Sequence, residues 1–213
     1  MNFPVQPTKF QSNTFDWEWY ERDFFHSPDG IKEFPKHHCK DTWVKSLPYI
    51  KSNRNAVDIG CRDGEYARYL HKHFNHVFCF DYRTRKLFDK NVDLSKITHF
   101  KCALGEATKV ISVSGAGSID TAKVPKEKWY YEQLYTLDQF NLQDVDYIKI
   151  DVDGYEKKVV QGAIKTIKKY SPLLIFEQEN GTTETIDFCK TLGYDVLDWD
   201  DAKRNVIMAQ LIG

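Results

Sequence analysis

The chain has 213 residues, with 30 Lys and Arg against 31 Asp and Glu and a formal net charge of -1 at pH 7. A balance this close to neutral supplies no global field towards nucleic acid or an anionic membrane, and this length suits one filled core. No apolar run reaches the length of a membrane span, residues 1–7 lack the basic and apolar regions of a signal peptide, and the five cysteines are dispersed and odd in number. A single domain over residues 1–213 is therefore expected, cytoplasmic, with buried free thiols and without nucleic-acid or membrane partners.

Residues 1–50 are an aromatic-rich N-terminal extension, with Phe15, Trp17, Trp19, Tyr20, Phe24 and Phe25 interleaved with acids and bases. They are expected to form a helical flap packed on the core, the alternative being a lid or part of a substrate pocket. His37-His38-Cys39 has no second Cys/His pair at zinc-ligand spacing after it, so no metal is expected there. The core, residues 51–213, alternates apolar runs with amphipathic segments. Strands are predicted near Ala56–Ile59, Val77–Phe80, Thr98–Cys102, Tyr147–Ile150 and Leu173–Phe176. Helices are predicted over Glu65–His73 and Tyr155–Tyr170, the second placing Val159, Val160, Ala163, Ile164 and Ile167 on one face. Gly105–Tyr135 falls outside this alternation and predicts an extra strand at Val110–Val113 and a flexible loop over the sheet's working edge. The last two strands, Tyr194–Leu197 and Val206–Leu211, are separated by too short a segment for a crossover helix and must pair antiparallel. The expected fold is α/β, a mostly parallel seven-stranded sheet with a C-terminal antiparallel hairpin and helices on both faces.

In open α/β sheets, ligands bind beyond the carboxyl ends of the strands, so the residues just past each strand are the candidates for a site. After the first strand comes Asp58-Ile59-Gly60-Cys61-Arg62-Asp63-Gly64, a glycine turn entering a helix whose first residues include Tyr66. Gly60 and Gly64 allow the backbone close to a ligand, and the exposed amides favour an anion. Neither the Gly-x-Gly-x-x-Gly fingerprint nor the Walker lysine pattern is present, which argues against a nicotinamide or nucleoside-triphosphate site and leaves S-adenosylmethionine as the candidate. Asp81, with Tyr82 beside it, ends the second strand about 20 residues later, where a carboxylate accepts from ribose hydroxyls. Tyr147–Ile150 runs into Asp151-Val152-Asp153-Gly154-Tyr155-Glu156. Asp153 and Glu156 also fit a capping box at the start of the next helix, whereas Asp151 precedes the cap.

These segments resemble the FkbM-type methyltransferases, a class I family acting on hydroxyls of sugars, polyketides and similar substrates. The resemblance spans roughly residues 56–177 and rests on four ordered motifs: Asp58-Ile59-Gly60 with Gly64, Thr136-Leu137-Asp138, Lys149-Ile150-Asp151-Val152-Asp153-Gly154 with Glu156, and Pro172-Leu173-Leu174 with Glu177. It implies a Rossmann-like class I sandwich and an O-methyltransferase using S-adenosyl-L-methionine on a small-molecule or glycan acceptor. It further implies cofactor contacts from Asp58, Gly60, Cys61, Arg62, Gly64, Tyr66, Asp81, Tyr82 and Asp151, with the adenine against Cys102, Ala103 and Leu104. The chain departs from the family pattern at Cys61-Arg62-Asp63, where Ala-Asn is usual, at Asp81-Tyr82 in place of Glu-Pro, and at Asp153 in place of Glu. Arg62 puts the contacts to the methionine end in question.

Asp151 is the expected base for an alcohol acceptor, with Asp153, Glu156 and Glu177 orienting acceptor hydroxyls or fixing neighbouring loops. Paired carboxylates such as Asp151 and Asp153 can bind Mg²⁺, but no third ligand stands out and no metal is expected. Two other readings stay open: an NAD-linked oxidoreductase or epimerase on a similar sheet, and a catalytically silent cofactor-binding module.

Overall fold

The computed structural model describes residues 2–10, 15, 24–27, 30–33, 38–83, 87–114, 129–178 and 182–210. The main sheet has seven strands: β3 (Asn55–Ile59), β4 (His76–Phe80), β5 (Ile97–Phe100), β9 (Val145–Ile150), β10 (Leu173–Glu177), β11 (Tyr194–Trp199) and β12 (Asn205–Gln210). Their spatial order is β11-β12-β10-β9-β3-β4-β5. The β5, β4, β3, β9 and β10 strands run parallel, whereas β12 lies antiparallel between β10 and β11. The strand order therefore reverses at β3 and β9, the switch point where an α/β sheet opens a crevice.

Strand alternation sorts the side chains into two cores. On one face Val57, Ile59, Phe80, Ile148, Ile150 and Phe176 pack with Val159, Val160 and Ile167 from α4 (Glu156–Gln161) and α5 (Ile164–Tyr170), and with Ile186 and Cys189 from α6 (Glu184–Thr191). On the other, Ala56, Val77, Tyr147 and Ile175 pack with Trp43 of α1 (His38–Ser46), with Ala67 and Leu70 of α2 (Ala67–His73), and with Phe88 of α3 (Phe88–Asn91). The alternation follows from the two-residue period of a strand, and it puts Asp58 and Lys149 on the second face.

Several predicted boundaries move, each for a physical reason. Tyr155–Tyr170 is two helices rather than one, because a Cβ at Gly162 would sit 1.9 Å from the carbonyl oxygen of Gly105; the backbones touch there and the first helix stops. The third strand ends at Phe100, whose carbonyl accepts from the Cys102 amide at 3.1 Å, so the chain turns out of the main sheet. Ala103–Leu104 (β6) then joins a separate three-stranded sheet with β7 (Lys109–Ser114), which contains the expected extra strand, and β8 (Trp129–Tyr135). The loop expected between β7 and β8 lies outside the described residues.

The N-terminal extension packs on the core, but not as a helical flap throughout. Phe24–Ser27 (β1) and Gly30–Glu33 (β2) form an antiparallel hairpin, and α1 is helical. Phe3 meets Phe100 edge-on at 4.9 Å and Phe10 stacks on Phe88 at 5.5 Å. The segment around Trp17 and Trp19 lies outside the described residues. Among the described residues no helix is long and apolar enough to cross a membrane.

Candidate active site

A groove of about 260 Å³ opens beyond the ends of β3, β4 and β9. Ile59, Phe80, Leu104 and Val152 give it apolar walls, and Arg62, Asp81, Tyr82, Arg83, Asp151 and Asp153 supply polar groups. Cys102 and Ala103 line it as well. An adjoining recess of about 30 Å³, room for one small polar group, is lined by Cys39, Asp58, Cys61, Glu65, Tyr66 and Lys149. Gly60, Arg62 and Asp151 border both spaces.

The glycine turn is shaped first by the protein itself. At Gly60 (φ +82°) a Cβ would lie 1.8 Å from the Asp151 carbonyl oxygen, so β3 and β9 leave no room for a side chain where the groove begins. Gly64 (φ +89°) lines neither space: its missing Cβ faces Val92 at 2.9 Å, and the position serves packing against α3. Packing alone therefore calls for a glycine at this position, whatever its backbone does towards a ligand. Asp81 braces the turn, accepting from the Arg62 amide at 3.0 Å and from the Arg83 amide at 2.7 Å. Arg62 takes the left-handed conformation (φ +47°), which turns its amide towards that carboxylate.

The Asp153–Glu156 capping box does not form. The α4 helix starts after Tyr155 without a side-chain cap, Asp153 sits exposed in the left-handed region (φ +52°), and Glu156 accepts from the amides of Val152 at 3.1 Å and Gly154 at 3.3 Å. Glu156 thus holds the loop and Asp153 faces the groove. Asp151 is anchored by its amide on the Ile59 carbonyl at 2.9 Å, and its carboxylate accepts from Lys149 Nζ at 3.1 Å. Glu177 pairs with the Arg204 guanidinium. Burial raises the Glu177 pKa and the neighbouring Asp151 raises it further, against the pull of Arg204. Asp151, Asp153 and Glu177 place one carboxylate oxygen each within 4.8 Å of one another, so Glu177 is the third acid that the sequence does not mark as a partner of the pair.

The recess holds buried charge. Burial lifts the Asp58 carboxyl to about 7, against the attraction of Lys149, and its Oδ2 has no hydrogen-bond partner among the described residues. Burial also raises Glu65, opposed by Arg62. At Lys149 burial works against the charge, but Asp151, Cys39 and Asp58 outweigh it and its pKa stands above the ordinary value. Tyr66 closes the recess, its hydroxyl bonded to that of Tyr147, which also meets Ser46 Oγ at 2.9 Å. Cys61 and Cys39 are buried thiols pushed upward in pKa by desolvation, so neither is a nucleophile. Sequence reasoning does not single out Cys39, Glu65, Lys149 or Arg83 as site residues. Of these only Lys149 carries a signal, a charged residue in a buried strand.

A family model for the methyltransferase FkbM domain matches residues 46–199. The chain belongs to the FkbM methyltransferase family. No curated protein matches it. Among solved structures, an FkbM methyltransferase from Methylobacillus flagellatus KT is similar with a TM-score of 0.53 and 18% identity, over 74% of this chain and 43% of that one. A precorrin-6y C5,15-methyltransferase from Geobacter metallireducens GS-15 gives 0.49 and 12%, over 89% and 93% of the two chains. A precorrin 8W decarboxylase from Methanobacterium thermoautotrophicum gives 0.48 and 16%, over 89% and 97%. At such identities the likeness to the Methylobacillus structure is one of fold, and this chain spans less than half of that protein. The FkbM domain here thus has the Rossmann-like sheet of its family, with the groove at its switch point.

Proposed function

We propose that this FkbM domain is an S-adenosylmethionine-dependent O-methyltransferase acting on a hydroxyl of a sugar, glycan or other small molecule. The observation that carries the reading is the pairing of a half-apolar groove, with Asp81 at its rim, and a small charged recess, joined at Gly60 and Asp151. The residues suit that cofactor: Asp58, whose buried Oδ2 has no hydrogen-bond partner among the described residues, lines a space the size of an ammonium, and Asp81 stands at the end of β4 where a carboxylate can accept from ribose hydroxyls. Cys102, Ala103 and Leu104 would flank the base, with Tyr82 near it and Tyr66 closing the amino-acid end. When bound, S-adenosylmethionine supplies an electrophilic methyl on a sulfonium.

The chain's own work is then positioning and proton transfer. Asp151, held by Ile59 and Lys149 where groove and recess meet, accepts the acceptor's hydroxyl proton. Asp153 and Glu177 orient neighbouring hydroxyls. Three converging carboxylates repel phosphate, which favours a polyhydroxylated neutral acceptor over a nucleic acid.

Calorimetric titration with S-adenosylmethionine, S-adenosylhomocysteine and NAD tests the cofactor. Binding of the first two without the third is expected, and NAD binding without adenosylhomocysteine binding would overturn the reading. An acceptor screen over sugars and phenols comes next. Once an acceptor is found, Asp151→Asn should lower single-turnover transfer about 10²–10⁴-fold at saturating cofactor. A wild-type rate in the folded variant would remove Asp151 as the base.

A further inference from the structure

Lys149 occupies a position where a charge is costly. It lies in β9 among Tyr147, Ile148 and Ile150, is 2% exposed, and stands directly opposite Asp58 in the parallel β3–β9 pair. Its ammonium donates to Asp151 Oδ2 at 3.1 Å and lies 5.5 Å from the centre of the Tyr66 ring. Around it the recess gathers Asp58 from β3, Glu65 from the entry to α2 and Asp151 from the end of β9, with Arg62 at the mouth. Cys39 of α1, Cys61 of the glycine turn and the Tyr66 hydroxyl complete the titratable groups lining it. Three acids thus surround one buried cation. A charge in this place demands a reason, because an apolar residue of similar length would pack the strand at lower cost.

The reason lies in the charge change of the reaction proposed above, on which this inference rests. Methyl transfer forms an oxygen–carbon bond and breaks the carbon–sulfur bond; the electron pair stays on sulfur, which passes from cationic sulfonium to neutral thioether. Acids that grip the positive sulfur in the bound reactant lose that grip as the charge disappears, so unopposed they would stabilise the ground state more than the transition state. We propose that Lys149 sets the charge of the cofactor groove, offsetting its acids so that the sulfonium cofactor and its thioether product are held with closer affinities than the acids by themselves would give. The same ammonium keeps Asp151 aimed across the junction. Lys149 is therefore a positioning residue that acts through Asp58 and Asp151.

The test compares S-adenosylmethionine with S-adenosylhomocysteine, which share every contact except the charged methyl-bearing sulfur. Calorimetry at pH 8 and low salt keeps Asp58 of the wild type ionised, above the value of about 7 to which burial lifts it against the pull of Lys149. Lys149→Met, which loses that pull, is titrated across pH 8–9 so that its Asp58 is read in the same state. Lys149→Met should raise the ratio of adenosylmethionine to adenosylhomocysteine affinity about tenfold, whatever it does to both affinities together. Asp58→Asn should lower that ratio by a similar factor, and Lys149→Arg should leave it within about twofold. Parallel weakening of both ligands, with the ratio unchanged in Lys149→Met and Asp58→Asn, would reduce Lys149 to a structural residue and overturn the proposal. Should Lys149→Met fail to fold, Lys149→Gln, which removes the charge but keeps a polar head, is read in its place, with the same rise in the ratio expected and an unchanged ratio overturning the proposal. A wild-type protein that binds neither ligand would instead overturn the methyltransferase reading itself.

Discussion

The two faces of the central sheet are built from the same strands and differ in one row. On the face covered by α4, α5 and α6, β3 and β9 contribute Val57, Ile59, Ile148 and Ile150, and the aromatic cluster of Phe80, Phe100 and Phe140 fills the space with ring centroids 4.8–5.1 Å apart. On the face covered by α1 and α2 the same strands contribute Asp58 and Lys149, one residue short of their ends. The first face contributes stability through apolar burial and close packing. The second gives up part of that gain to hold charge where the groove begins. Functional charge in this fold is placed by strand parity: a shift of one residue would carry Asp58 and Lys149 into the apolar core.

Breaking the apolar face should have the largest effect on stability. Phe140→Ala removes a ring that is 1% exposed and meets Phe80, Phe100 and Phe3, and should cost about 3–5 kcal/mol in denaturant unfolding while leaving adenosylhomocysteine affinity nearly intact below the melting range. A loss below about 1 kcal/mol would show that the cluster collapses around the gap.

The charged face is sharpened by pH. Asp58 carries a folded pKa raised by burial to about 7 from 3.8, so between those values the folded state keeps a proton that the unfolded state has released. Its contribution to stability therefore falls as pH rises through that window, by about 2–4 kcal/mol in order of magnitude. His71 and His99 act in the opposite sense. Burial lowers both to about 4 from 6.5, and their contribution is lost as pH falls through that interval. The stability difference between wild type and Asp58→Asn isolates the carboxyl. It should move against the wild type from pH 4 to 7, and a difference independent of pH would contradict the buried, proton-holding Asp58.

The smallest of these effects belongs to the groove rim. Asp81→Ala should weaken adenosylhomocysteine binding by about 1.5–3 kcal/mol, through lost charged hydrogen bonds and release of the Arg62 and Arg83 amides. Affinity equal to wild type would place the ribose elsewhere.

Much of the fold and site is legible in the sequence where the information is local. The parallel strands, the antiparallel C-terminal pair, the glycine turn after β3 and the acids after β9 each arise from period, turn chemistry or an abrupt change from apolar to charged residues. The positions that the sequence misrepresents depend on distant partners. Gly64 reads as a ligand-approach glycine, and the structure adds a packing demand from Val92 that the sequence does not show; Asp153 reads equally as a helix cap, yet it stays exposed while Glu156 accepts from the Val152 and Gly154 amides. The single long helix over Tyr155–Tyr170 has unbroken periodicity, and contacts with distant groups divide it: the Gly105 backbone against Gly162, and Asp138, which accepts from the Lys165 and Thr166 amides at the start of the second helix.

The sequence by itself determined the strand pattern and the acids that terminate β4, β9 and β10, because each is set by residues adjacent along the chain. The tertiary structure decided which of them meet. Parallel register sets Lys149 beside Asp58, neighbouring strand ends bring Glu177 to within 4.8 Å of Asp151 and Asp153, and packing of α1 delivers Cys39 to the recess. Such encounters join residues tens to more than a hundred positions apart, and no local propensity encodes them; they are settled by how the sheet orders its strands and which helix covers which face.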